Sequence, residues 1–245
     1  MAKDKLYQAM KVIAKSNDFK ASPEHDLYRM HPPYFLNAFY WELTDKKAGK
    51  MAMNVSYDVK YPYFDDLKLY ITDPCSDIKM TDKVRANSVI MVHSRIEDEK
   101  FEFDHDRSDG SYTRIAEKTF ERIEKWYRDF FAKVNAMPDD LEGFFTSSCE
   151  KYPMQALFVY LHKECYDKAA ECLKLLPDKL HSLRTIIPQN DEQVQRLLDS
   201  GAEKTGNTFF RDDMDCIIDY IAAKKNGLEW TADRARCGLL REERK

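Results

Sequence analysis

The hydrophobic rhythm of the chain changes once, near residue 112, and that change restricts the fold more than any other feature. Before it, apolar residues recur at every second position; after it, at every third or fourth. In 50–60, Met51, Met53, Val55, Tyr57 and Val59 alternate with Ala52, Asn54, Ser56, Asp58 and Lys60. That is the pattern of a strand with one buried face. In 113–134, Ala116, Phe120, Ile123, Tyr127, Phe130 and Val134 recur at alternating spacings of four and three, and Ile115, Trp126 and Phe131 widen the stripe. The spacing predicts a long amphipathic helix whose aromatic side docks across a sheet. On its other side Glu121–Lys125, Glu124–Arg128 and Asp129–Lys133 stand four apart, acid first. Each such pair adds about 0.2–0.5 kcal/mol to a helix.

The remaining elements follow from the same rules. Leu6, Met10 and Ile13 place a helix over 3–15, which Ser16-Asn17-Asp18 ends. Pro23, Pro32 and Pro33 exclude helix from the segment that follows, which reads as a loop. The run from Tyr34 to Leu43 is aromatic and apolar on both faces, as in a central or doubly covered strand. Residues 44–49 join it to the strand at 50–60 as a hairpin. Leu67, Leu69 and Ile71 predict a third strand, Val89 to Ile96 a fourth, and Phe101 to Phe103 an extension or a fifth. Strands in succession without intervening helices favour antiparallel pairing.

Met137-Pro138-Asp139-Asp140 is the expected boundary, with a sheet-and-helix domain at 1–136 and a helical domain at 137–245. Helices are expected near 139–150, 153–163, 166–176, 190–200, 212–225 and 231–243. Pro138 and Pro153 suit first helical turns, and Pro177, Gly201 and Gly227 suit helix ends. The segment from Ala156 to Leu173 resembles one helical hairpin of a tetratricopeptide-type repeat, with Tyr166, Ala169 and Ala170 at its aromatic and small positions. No second copy recurs at a fixed period, so a single hairpin is expected. The fold class is therefore α+β: an antiparallel sheet of four to five strands packed by a long helix, then an all-helical C-terminal half.

Charge and composition exclude several functions. A formal net charge of −4 and the lack of a Lys/Arg block argue against nucleic acid as partner. No uncharged apolar stretch is long enough to span a membrane. The charged opening segment lacks the apolar run of a secretion signal, so a cytoplasmic location is expected. The six cysteines (75, 149, 165, 172, 216 and 237) are scattered without a C-x-x-C spacing and read as reduced core thiols. Only seven glycines are present, and no nucleophile elbow or Gly-rich phosphate loop occurs.

Three constellations could carry chemistry. Asp65 or Asp66, with Asp98-Glu99-Lys100, has the residue types of a metal-dependent nuclease or hydrolase, in which carboxylates hold a divalent ion that activates water. Asp104, His105 and Asp106, joined by His93, could ligate a metal. The turn Asp104–Gly110 has alternate oxygen ligands, but glycine and the closing carboxylate miss their calcium-loop places. The competing reading for each is a solvated turn, here one whose acids favour the following helix N-terminus. A different candidate is aromatic surface: Tyr34, Tyr40, Trp41, Tyr57, Tyr61 and Tyr63 exceed what one helix need cover, and such rings make good anchors for a protein partner.

The opening helix, Asp18-Phe19-Lys20, Leu27-Tyr28-Arg29, the paired strands and the long aromatic helix come in an order that resembles certain small bacterial families of unknown function. Some families of that type resemble immunity or other partner-binding proteins encoded near toxins. The resemblance spans about the first half of the chain and implies partner binding without catalytic residues. The expected function is a non-enzymatic protein-binding or immunity-type module with no cofactor, compatible with a homo-oligomer. The alternative is a metal-dependent hydrolase or nuclease with an acidic site near Asp65, Asp98 and Asp104.

Overall fold

A computed structural model describes residues 2–43, 49–72, 79–86, 95–106, 108–137, 139–176, 183–186, 194–195, 203–205 and 208–231. In chain order the elements are α1 (Ala2–Ser16), β1 (Lys20–Ala21), β2 (Asp26–His31), β3 (Tyr34–Leu43), β4 (Lys50–Lys60), α2 (Pro62–Thr72), α3 (Asp82–Ala86), β5 (Arg95–Asp104) and α4 (Asp109–Val134). There follow α5 (Asp140–Ser147), α6 (Pro153–His162), α7 (Tyr166–Leu173), β6 (Leu183–Ile186), β7 (Glu203–Thr205), β8 (Thr208–Asp212) and α8 (Asp213–Lys225). The class is α+β, with an antiparallel five-stranded sheet in the order β1-β2-β3-β4-β5 and a mainly helical second half. Two compact units form: Met1–Pro62 with Met80–Phe144, and Tyr63–Lys79 with Phe145–Lys245.

In the first unit, Met51, Met53, Val55, Tyr57 and Val59 of β4 are all buried, as their alternation requires. The opposite face of β4 is covered too: Ala52, Ser56 and Lys60 are buried and Asn54 and Asp58 half-buried. The expectation of one buried face is corrected: the chain packs over both faces of β4, which alternation along one strand does not reveal. β3 is closed on both faces, as its composition implied. The stripe of α4 docks on the face of Tyr57: Phe120, Ile123, Tyr127 and Phe130 are buried, and Tyr127 meets Tyr57 at 6.1 Å between ring centroids. α1 lies beside α4 and buries Leu6, Met10 and Ala14. It ends where Asp18 takes a left-handed φ of 60°, which lets the Phe19 amide donate to the Ala14 carbonyl at 2.9 Å.

Two local readings fail for identifiable reasons. Leu67, Leu69 and Ile71 lie on helix α2, not on a strand. Pro62 opens that helix, and Phe64 and Ile71 share its buried side at a spacing of seven, two helical turns, so the short run satisfies both periods. The proline-bearing segment before Tyr34 is not all loop. Its prolines fall outside the strands, leaving β1 and β2 to pair with each other and β2 with β3. The expected strand from Val89 lies outside the described residues up to Ser94; β5 begins at Arg95 and includes Phe101 and Phe103.

In the second unit, α2 contributes Phe64 and Ile71 to a core with Phe145, Phe158, Ile217 and Trp230. The Trp230 indole donates to the Ile71 carbonyl at 3.1 Å, and Lys68 pairs with Asp213 at 3.1 Å. α5, α6, α7 and α8 stand near their expected places, with Pro153 in the first turn of α6 and Gly227, at φ 69°, past the end of α8. The C-terminal half is not wholly helical: β6, β8 and β7 make a small antiparallel sheet. At four, five and three residues, these strands are too short to display an alternation. The helix expected at 190–200 lies, apart from 194–195, outside the described residues, as does 232–243 of the last one. Of the described cysteines Cys172 and Cys216 are buried, Cys149 is half-buried and Cys165 exposed, and all four are free thiols.

If the α4 stripe holds the first unit together, Ile123→Ala costs about 2–5 kcal/mol, the range for a large-to-small change in a packed core. Glu117→Ala, on the exposed side of the same helix, stays within about 0.5 kcal/mol. Urea unfolding followed by circular dichroism measures both.

Candidate functional site

Among the described residues the first unit carries a groove between β5 and α4, about 690 Å³ in volume. It forms because β5 is the last strand of the sheet and α4 crosses the sheet beside it. β5 turns Glu97, Glu99, Phe101 and Phe103 to the helix side, in register with Tyr57, Val55, Met53 and Met51. From α4 come Glu121, Arg122, Lys125, Trp126, Asp129, Phe130 and Lys133.

Rings form the floor. Trp126 lies flat on Tyr57, 4.3 Å between centroids and 4° from parallel, and on Phe130 at 5.0 Å and 8°. The indole N–H donates to Glu97 at 2.9 Å. The Tyr57 hydroxyl donates to Glu99 at 2.8 Å, and Arg122 donates to the other oxygen of Glu99 at 2.7 Å while its guanidinium sits 4.7 Å from the centre of the Phe101 ring. Burial, reinforced by the Glu99 hydrogen bond, raises the Tyr57 phenol far above its usual range, so it stays a donor at all working pH values. Lys125 pairs with Asp129 along the helix and holds that carboxyl below its usual range. Glu124 pairs with Arg29 of β2 at 3.3 Å. The helix therefore directs charges to the sheet as well as along its own surface.

The aromatic residues singled out in the sequence do not make one surface. Tyr34, Tyr40 and Tyr57 are buried: Tyr34 stacks on Phe131 at 5.2 Å, Tyr40 meets His25 at 5.0 Å, and Tyr57 lies beneath Trp126. Trp41 is half-buried beside Phe39, 5.3 Å away, on the sheet face turned away from α4. Tyr61 is half-buried against Tyr34, and Tyr63 belongs to the second unit, stacked on His162 at 4.0 Å. Only Tyr57 of that set contributes to the groove, from below. Trp126, Arg122 and Glu97 were missed as a site, and Glu99 was named only within the Asp98–Lys100 run, although Trp126 stands at the border of the α4 stripe, where an aromatic is half-exposed by construction.

The acidic candidates are also distributed. Asp65 is buried and Asp66 exposed on α2, in the second unit. Asp98 and Lys100 are exposed in the first unit, on the face of β5 turned away from α4, and Asp98 accepts a hydrogen bond from Ser56. His93 lies outside the described residues. Asp104 is exposed at the end of β5. His105 and Asp106 serve the start of α4: the His105 ring meets Ser111 Oγ at 3.1 Å, and Asp106 accepts from the Ser108 amide at 2.9 Å and hydroxyl at 2.6 Å. Those two bonds lower the Asp106 carboxyl, and Ser108 in turn caps α4 by accepting from the Ser111 amide. Among the described residues no group of three His, Cys, Asp or Glu side chains could hold a metal ion, and no helix is long and apolar enough to cross a membrane. No family model, curated protein or solved structure matches the chain.

The stacked floor makes a specific demand on Trp126. Trp126→Ala removes two ring partners and costs about 3 kcal/mol, at the low end for an aromatic-to-alanine change because the residue is half-exposed. Trp126→Phe, which keeps a ring on Tyr57 but loses the bond to Glu97, costs less than half as much. Denaturant midpoints, read beside the near-ultraviolet circular dichroism of the indole, test the pair.

Proposed function

We propose that the first unit is a non-enzymatic protein-binding module whose partner lies along β5 and the groove beside α4. The observation that carries this reading is the position of β5. It is the last strand of its sheet, and most of its residues are exposed. Among the described residues no strand pairs with its outer edge. An extended partner segment can add to such an edge through main-chain hydrogen bonds while its side chains enter the adjoining groove. There Trp126 and Phe130 supply apolar contact, and charges of both signs supply register.

The composition of β5 says what kind of segment fits. It carries five acids (Glu97, Asp98, Glu99, Glu102 and Asp104) against two bases (Arg95 and Lys100). Pairing with a second copy of itself would set acids beside acids, a common device against edge-to-edge association. A different protein presenting lysines or arginines along an extended segment matches it better. The mixed groove does not suit a polyanion such as nucleic acid, whose binding demands a basic surface. An immunity-type role, with a toxin as the partner, is one form this reading takes, in line with the expectation drawn from the order of elements in the first half. No observation on the acidic residues favours the hydrolase alternative over this reading.

The test is retention of a partner by the immobilised full chain, in extracts of cells that make it, followed by mapping. Binding is expected to protect the β5 amides from hydrogen exchange. Glu97→Lys with Glu102→Lys is expected to weaken binding by about tenfold or more, the scale on which a hot-spot contact acts. Failure to retain any partner, or full retention by the charge-reversed chain, defeats the proposal.

A further inference from the structure

The face of the sheet turned away from α4 carries a polar row across four strands: Tyr28 on β2 is in register with Asn37 on β3, Asn37 with Asp58 on β4, and Asp58, past an irregularity in the pairing, with Arg95 on β5. Burial falls along it from Tyr28 and Asn37, both buried, through half-buried Asp58 to exposed Arg95. Asn37 is 5% exposed and Asp26, beside it on β2, 7%. The Asn37 amide nitrogen donates to Asp26 at 3.0 Å, and Asp26 also accepts from the Ser22 hydroxyl at 3.1 Å. With the nitrogen committed toward β2, the amide oxygen is left for the β4 side. There the cross-strand neighbour is Asp58. Asn37 Oδ1 and Asp58 Oδ1 are both shut off from solvent and both lack a hydrogen bond. Side chains directly opposite on neighbouring antiparallel strands have Cβ atoms about 4.5–5.5 Å apart, within reach of one bridging hydrogen.

Two buried, unbonded acceptors on register partners of neighbouring strands need a donor, and buried acceptors are rarely left without one. A metal ion is the poorer solution. Lys60 and Arg95 already bring positive charge toward Asp58, and no set of three acidic or imidazole ligands gathers among the described residues. A proton needs neither extra ligands nor space. We propose that Asn37 and Asp58 form a proton-operated latch across β3 and β4: protonated Asp58 donates its O–H to Asn37 Oδ1, and loss of that proton leaves two acceptors opposed and loosens the seam at this row.

The surroundings support it. Burial pushes the Asp58 carboxyl up to about 6, more than the attraction of Lys60 and Arg95 pulls it down, with Asp26 and Asp98 adding to the rise. Other charged or titratable groups nearby among the described residues include Tyr28 on β2, Glu24 close to Asp26, and Tyr127 on α4, whose hydroxyl donates to the Asp58 backbone carbonyl at 3.5 Å from the opposite side of the sheet; the Lys60 ammonium donates to the Arg85 backbone carbonyl on α3 at 3.1 Å. Because the folded carboxyl titrates above the ordinary value of 3.8, the folded chain holds a proton that the unfolded chain has released. The contribution of the latch is therefore complete below about pH 4 and is lost as the pH rises through about 6. Asp26, also raised by burial, adds a slope of the same sign.

The test uses the full chain. Its melting temperature is expected to fall by several degrees from about pH 4.5 to about pH 7.5. Asp58→Asn, whose amide can donate to Asn37 at every pH, is expected to remove most of that fall. In the unaltered chain the Asn37 side-chain amide resonances are expected to titrate with a midpoint near that of Asp58, and to keep it in Asp26→Asn. Amide resonances that do not move, a midpoint that vanishes with Asp26→Asn, or an undiminished slope in Asp58→Asn would overturn the latch. The resonance titration decides the matter even if Asp58→Asn does not fold.

Discussion

The first unit depends on the docking of α4 across the sheet. One stripe of side chains joins elements far apart in sequence: Phe120 and Tyr127 close on Phe19 at 5.3 and 6.3 Å, Tyr127 and Trp126 on Tyr57, and Phe131 on Tyr34. Each ring pair adds about 0.5–1.5 kcal/mol beyond the area it buries. Burial itself contributes more, since Met53, Val55 and Tyr57 are closed off from water on the side of β4 where α4 docks. A twisted sheet without a covering layer would leave that face exposed.

The same docking sets the character of the two sheet faces. Toward the helices the sheet is mainly apolar, and the Tyr57 hydroxyl there is tied to Glu99. On the other face, Asp26, Asn37, Ser56 and Lys60 are buried polar groups. Burial without partners is costly, so this face is held by a small number of directed bonds and is sensitive to their loss. The groove at β5 belongs to neither regime. It lies where helix cover ends and the sheet edge begins, so aromatic floor and charged walls meet there.

Much of the secondary structure was legible. The alternation at 51–59 and the four-and-three spacing after Thr113 are long enough to separate one period from the other, and β4 and α4 stand where they say. Pro153 and Gly227 marked real helix ends because their backbone limits act locally. Short segments were not legible. Leu67 to Ile71 satisfies both periods, and the strands at 183–186, 203–205 and 208–212 satisfy neither visibly. The candidate site was less legible still. Tyr34, Tyr40 and Tyr57 look like anchors when only their ring chemistry is known, yet each is enclosed, while Trp126 looks like core and stands at the groove.

By itself the sequence determined where the chain is strand and where it is helix over its long periodic segments, because periodicity and backbone restriction are properties of neighbouring residues. Only the tertiary structure decided that β5 forms the sheet edge, that β4 is covered on both sides, and that Asn37 lies in register with Asp58. Those outcomes depend on register between strands and on what packs over each face. Both are contacts between residues distant along the chain, and no local pattern encodes them.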